Sequence, residues 1–148
     1  MKSQLSGVVY WFLHLWVLAY CGVLTGAFAI QFVLGELPCP LCLLQRIQFA
    51  MLAIGPILNV RWGPRPSHYA LSLLAAVVGM AFSTRQILLH IMPGDAGFGT
   101  PLLGYHYYTL ALIGFAAAIV LLAIVLLFDR QFEQDATCLL YTSPSPRD

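Results

Sequence analysis

Four apolar runs, each long enough to cross a lipid bilayer, constrain this chain more than anything else in it. They cover residues 8–34, 41–60, 69–91 and 107–128. A helix needs about 20 residues to traverse the hydrocarbon core, where each backbone polar group must find its partner within the segment. The runs are continuous, not alternating, and a spanning sheet needs many more segments to close into a barrel. The expected fold is therefore all-α: an integral membrane bundle of four transmembrane helices. Composition agrees. Of 148 residues, 60% are hydrophobic and 9% are charged, against about 25% charged in a soluble domain. A net charge of +1 says nothing about a nucleic-acid partner, and no basic run suggests one, so none is expected.

Positive charge in short connections marks the cytoplasmic side. Lys2 precedes the first run, Arg61 and Arg65 separate the second from the third, and Arg130 follows the fourth. The connections at 35–40 and 92–106 carry no Lys or Arg. Both termini and the Arg61/Arg65 turn are thus expected to be cytoplasmic, and the other two connections to face outward. Tyr10, Trp11, Trp62, Tyr105, Tyr107 and Tyr108 fall near run ends, as interfacial belts do. Pro56 is expected to kink the second helix. The first run has signal-like features, with Lys2 at its start and Ala27-Phe28-Ala29 resembling a cleavage site. It outruns the 7–15 or so apolar residues of a signal core and is read as a retained helix. Residues 138–148, CLLYTSPSPRD, do not follow in composition from what precedes them. They resemble the translation of a transposon-end sequencing adapter and are expected to be non-native, leaving 1–137 as the membrane domain. Cys138 is accordingly kept out of any redox argument.

Cys39-Pro40-Leu41-Cys42 has a spacing that lets two sulfurs close a small ring. Cys42 stands where the second run begins, at a helix N-terminus whose dipole favours a thiolate. The outward side is an oxidising compartment, where disulfides persist. Redox exchange is the leading reading, and two others stay open. One is half of a zinc site, for which a second ligand pair of suitable spacing is missing, although His90 and His106 could supply nitrogens. The other is a structural disulfide. Cys21, mid-run with no charged neighbour, reads as inert buried packing.

Arg46 lies one helical turn beyond Cys42 on the same face. Arg85 falls near the outward end of the third run, at similar depth. An ionisable residue inside a span is expensive and is by default a functional candidate; snorkelling to the interface is the plain alternative for both. Gln45, Gln48 and Gln86 add amides at this level, and His90 and His106 stand at the outward rims. Cationic and hydrogen-bonding groups beneath a redox-active thiolate suit a flat, lipid-soluble acceptor whose oxygens become negative as it takes electrons. A membrane quinone fits, with Arg46, Gln45, Arg85 and His90 as the groups around it.

The string Pro38-Cys39-Pro40-Leu41-Cys42-Leu43-Leu44-Gln45-Arg46 resembles the signature of the bacterial disulfide bond formation protein B (DsbB) family. The Leu103-Gly104 step before the fourth run is similar to the family as well. The resemblance implies a multi-pass inner-membrane protein with its redox site facing the periplasm, passing electrons from thiols to ubiquinone or menaquinone. It implies a soluble thioredoxin-fold thiol oxidase, DsbA-like, as the partner. It also implies Cys39 and Cys42 as the quinone-proximal catalytic pair, with Cys42 nearer the quinone and Cys39 more accessible, and Arg46 as the quinone's support. One departure is serious. Family members typically carry a second cysteine pair in the outward loop between the third and fourth helices, whereas residues 93–101 here read PGDAGFGTP. Electrons could reach Cys39/Cys42 directly from a soluble dithiol or through a separate polypeptide, or the chain could have drifted to another redox role. So short a loop is also expected to leave the pair exposed. The expected function is a quinone-linked thiol oxidoreductase that generates disulfides. The alternative is a non-enzymatic membrane assembly or metal-handling protein with a structural or metal-binding CxxC.

Overall fold

The computed structural model describes residues 7–35, 37, 39–95, 97–99, 101–102 and 104–127. Lys2, Pro38, Leu103, Phe128, Arg130 and the whole 138–148 segment lie outside them. Four helices follow in order: α1 (Gly7–Leu34), α2 (Pro40–Trp62), α3 (Pro66–Leu89) and α4 (Tyr107–Leu126). All four are long and apolar enough to cross a membrane. Among the described residues there is no strand, only an isolated bridge between Leu102 and Tyr105. The all-α four-helix bundle expected from the sequence is the fold observed. The ends shift where proline opens a helix. Pro40 and Pro66 each occupy the first turn, where the missing N–H has no intrahelical partner to lose. The polar opening of α3, Pro66-Ser67-His68, is what hydropathy alone left out.

Each helix packs on the next, most extensively α2 on α3, then α3 on α4, then α1 on α2. The α2–α3 contact is built around Pro56. Proline has no N–H, so the carbonyl of Leu52, one turn earlier, loses its helical partner. Ser72 Oγ donates to that carbonyl at 2.9 Å, and α2 runs through Pro56 as one helix. In lipid no water would satisfy the freed group. Ser72 comes this close because Gly55 has no side chain: a Cβ there would collide with Ser72 Oγ and with the His68 carbonyl. Gly55→Ala gains about 1 kcal/mol of helix propensity. It incurs overpacking of about 1–3 kcal/mol and puts at risk a hydrogen bond contributing about 1 kcal/mol. A net loss of roughly 1–3 kcal/mol is expected, read as a lowered midpoint when the detergent-solubilised protein is unfolded in SDS. An unchanged midpoint would mean that the two helices separate at no cost.

At the far end of α2, buried Asn59 closes the turn into α3. Its Oδ1 accepts from the Arg65 amide at 3.2 Å and from His68 Nδ1 at 2.9 Å. Cys39 and Arg61 stand at opposite ends of α2. Its 23 residues span roughly 35 Å at about 1.5 Å each, on the scale of the hydrocarbon core of about 30 Å.

The core gathers Leu13 and Trp16 from α1, Phe49 and Leu52 from α2, Ala76 from α3, and Phe115 and Leu122 from α4. Beyond Trp16 no residue of α1 is buried. The first half of α1 is therefore tightly packed in the bundle while the second half packs more loosely, with Leu24 only partly buried against the core. Cys21 belongs to that second half and is exposed, which corrects the buried packing expected of it: its apolar neighbours form an outward-facing surface. Tyr10, Trp11, Trp62 and Tyr105 are exposed near helix ends, as a belt requires. Tyr108, expected among them, is buried.

Candidate redox site

Helix α2 begins on its own cysteine. Cys39 is the N-cap, with extended backbone, and its Sγ accepts the Cys42 N–H at 3.1 Å. That is the role a Ser or Asp oxygen usually fills. The cap brings the two sulfurs onto one turn, 2.6 Å apart and both free thiols. Both residues are half-buried, not exposed as the short outer loop suggested. The cover comes from α3: Gln86, buried, sets its Nε2 3.2 Å from Cys39 Sγ and 3.3 Å from Cys42 Sγ. Gln86 Oε1 in turn accepts from Gln45 Nε2 at 2.9 Å.

Where the second half of α1 packs loosely, a cavity of about 460 Å³ opens between α1 and α4 on a floor of α2. This is within the size range of small-molecule sites. Cys42, Gln45 and Arg46 line it from α2, Gly26 and Gln31 from α1, and Tyr108 from α4. Phe98 and Leu102 of the α3–α4 connection also contribute to its wall. The Gly22 and Gly26 positions meet open space, so small residues on α1 leave the room. The walls are mostly apolar, with Cys42, Gln45 and Arg46 supplying polar groups from a single turn and a half of α2.

Arg46 does not snorkel away from the bundle. Its guanidinium donates to Gln31 Oε1 and to the Ala27 carbonyl, the latter at 3.1 Å, and lies 5.0 Å over the Phe28 ring. It thus ties the loosely packed half of α1 back to α2 and keeps a cation on the cavity wall.

Two expected neighbours are placed elsewhere. Arg85 is exposed on α3 and does not line the cavity. Adjacent helical residues point about 100° apart, and the inward direction belongs to Gln86. His90 caps α3, with Nδ1 3.1 Å from Asp95 Oδ2 and its ring stacked at 5.7 Å on Tyr108. It is therefore separated from the cavity by the Tyr108 ring. His106 stacks on the same ring at 5.2 Å. The two histidines turn to Asp95 and Tyr108, not to the sulfurs. Gln48 does not line the cavity either.

The Gly97 amide and His90 hold the Asp95 carboxyl below the usual carboxylate range. A depressed folded value means stability that is complete above the unfolded carboxylate value, about 4, and lost as pH falls below it. Acid is therefore expected to loosen the turn around Asp95, read as a lower protection factor at Gly97 once exchange is referred to the intrinsic rate at each pH. Asp95→Asn should remove that acid response. An identical response in the variant would assign it to another group.

Gln86, expected among the amides at this level, is the one that reaches the sulfurs; Gln31 and Tyr108 were not singled out by sequence reasoning as groups at the site. For Gln31 a signal existed, since an amide in an apolar run needs a partner. For Tyr108 none did, because an aromatic at a helix end suits a belt equally well.

The family model described as "Disulfide bond formation protein DsbB" matches residues 10–100. The chain belongs to the DsbB family. The match takes in α1, α2, α3 and most of the α3–α4 connection. The Disulfide bond formation protein B of Xanthomonas axonopodis pv. citri (strain 306) is 41% identical over 92 residues, covering 57% of this chain and 54% of that protein. That of Marinobacter nauticus is 36% identical over 89 residues, covering 57% of this chain and 53% of that protein. Disulfide bond formation protein B 2 of Burkholderia lata is 36% identical over 90 residues, covering 56% and 54%. The chain spans about half the length of the curated relatives it matches. No solved structure matches it. Within the DsbB family it is a divergent member, since its α3–α4 connection contains no cysteine.

Proposed function

We propose that the chain is a quinone-linked thiol oxidoreductase that generates disulfides at the outer face of a bacterial inner membrane. The observation that carries the proposal is the position of Cys42. It shares one helical turn with Cys39 and also lines an apolar cavity whose wall includes the Arg46 guanidinium. The name that the relatives share, disulfide bond formation protein B, supports the reaction class.

The residues fit a quinone. The cavity is apolar enough for a lipid-soluble ring, and Arg46 and Gln45 offer hydrogen-bond donors beside Cys42. Ubiquinone or menaquinone, when bound, supplies a two-electron acceptor. The rest belongs to the chain. A substrate thiolate attacks Cys39 Sγ of the oxidised pair, the S–S bond breaks, and Cys42 leaves as a thiolate while Cys39 carries the mixed disulfide. The second substrate thiolate attacks its own sulfur in that bridge, releasing oxidised substrate and a Cys39 thiolate. The Cys42 amide and the Gln86 amide face this charge, and Arg46 balances it from the cavity side. Cys39 takes the substrate role because it does not line the cavity.

With no cysteine in the α3–α4 connection, the donor is a soluble thioredoxin-fold dithiol, DsbA-like, reacting with Cys39 directly. The sidedness follows from charge: Arg61 and Arg65 lie at the end of the bundle opposite Cys39, so that end and both termini are cytoplasmic. The test uses purified protein in nanodiscs, a reduced thioredoxin-fold dithiol and a short-chain quinone analogue. Quinone reduction that requires the protein and the dithiol is expected; its absence defeats the proposal.

A further inference from the structure

Gln45 and Gln86 are 5% and 1% exposed, and a primary amide buried in a membrane bundle is costly unless its polar atoms are bonded. Gln86 directs its amide nitrogen to the two sulfurs, while its oxygen accepts from Gln45 at 2.9 Å and, at the longer distance of 3.8 Å, from the Cys42 thiol. We infer that Gln86, held in orientation by Gln45, sets how strongly oxidising the Cys39–Cys42 pair is. The inference rests on the redox reading of the pair, not on the identity of the electron acceptor.

The tuning is a difference between two states of the pair. A disulfide sulfur is a weak acceptor, so the Gln86 N–H groups gain little from the oxidised pair. A thiolate is a charged acceptor, and hydrogen bonds to charged groups are roughly twice as strong as neutral ones. Reduction therefore strengthens the contacts at 3.2 and 3.3 Å. An interaction that favours the reduced form raises the reduction potential and makes the bridge a better oxidant. Orientation decides the sign. Turned over, the same amide would present its oxygen to the sulfurs and oppose the charge. Gln45 Nε2, donating to Gln86 Oε1 at 2.9 Å, holds that oxygen farther from Cys42 Sγ, at 3.8 Å, than the amide nitrogen at 3.3 Å. Gln86 is a positioning and tuning residue here, since it touches the reacting sulfurs through hydrogen bonds and exchanges no electrons. The plain alternative is an interhelical amide that only joins α2 to α3; that role predicts altered stability at an unchanged potential.

The test is an equilibrium without quinone. The protein in nanodiscs is held in glutathione buffers of graded ratio, where two glutathione thiols are oxidised to one glutathione disulfide as Cys39–Cys42 opens to one thiol and one thiolate, with one proton released to the buffer. The mixture is acid-quenched, alkylated, and Cys39 and Cys42 are scored by peptide mass. Gln86→Met, of similar length and apolar, is expected to shift the equilibrium about tenfold toward the disulfide, ~30 mV more negative. Gln86→Glu should shift it at least as far, since a carboxylate opposes a thiolate. Gln45→Met should move it the same way by less, and it decides the matter if the Gln86 variants fail to fold. Gln86→Met and Gln45→Met both within twofold of the parent, or Gln86→Glu shifting toward the dithiol, would overturn the inference alone. A parent pair that stays oxidised at every ratio would overturn the redox reading and this inference together.

Discussion

Cys42→Ser is expected to reduce coupled dithiol oxidation to the rate without protein, and Cys39→Ser to do the same. The two sulfurs act as one unit, so neither single change leaves partial activity and the double variant falls no further. The variants should differ in what they trap. Serine at 42 leaves Cys39 free to form a mixed disulfide with an oxidised partner and nothing beside it to resolve that bridge. A stable covalent complex on a non-reducing gel is therefore expected for Cys42→Ser. Cys39→Ser should trap much less, because its remaining sulfur lines the cavity. Equal trapping by both variants would mean that the partner reaches either sulfur, and the division of roles would fall.

Arg46→Ala should raise the KM for a quinone analogue by roughly 10- to 100-fold, the equivalent of losing a hydrogen bond from a charged group worth about 1.5–3 kcal/mol. The glutathione equilibrium of the cysteine pair should change far less. Arg46 also tethers α1 through Gln31 and the Ala27 carbonyl, so loss of the tether must be separated from loss of the cation. Gln31→Ala removes one arm of the tether and leaves the guanidinium in place. It should raise the KM only a few-fold. If Gln31→Ala and Arg46→Ala had equal effects, Arg46 would be a strut and not a quinone support.

What was legible in the sequence follows from what lipid demands. Run length alone marked the four helices, because a spanning backbone has few other options. Cys39, Cys42, Gln45 and Arg46 were legible as a group because they sit within two turns of one helix, where spacing fixes the face. Residues on other helices were not. Helices in lipid are apolar all round, so lipid-facing and helix-facing sides look alike, and no periodicity shows which way α3 is turned. That is why Arg85 and Gln86 were both expected at the depth of the pair, and only Gln86 is turned toward it. The same ambiguity hid the loose packing of α1 that opens the cavity and leaves Cys21 exposed. The cover over the sulfurs was missed for another reason: it comes from a side chain on α3 and does not depend on the length of the outer loop.

The central claim is that electrons pass from a dithiol through Cys39 and Cys42 to a quinone. Its most direct measurement is stoichiometry under anaerobic conditions, with quinol formed and dithiol lost counted in the same vessel. The account predicts one quinol for each dithiol oxidised with the parent protein, and none above background with Cys39→Ser or Cys42→Ser. Dithiol loss without quinol, or quinol formation that survives in the cysteine variants, would contradict it.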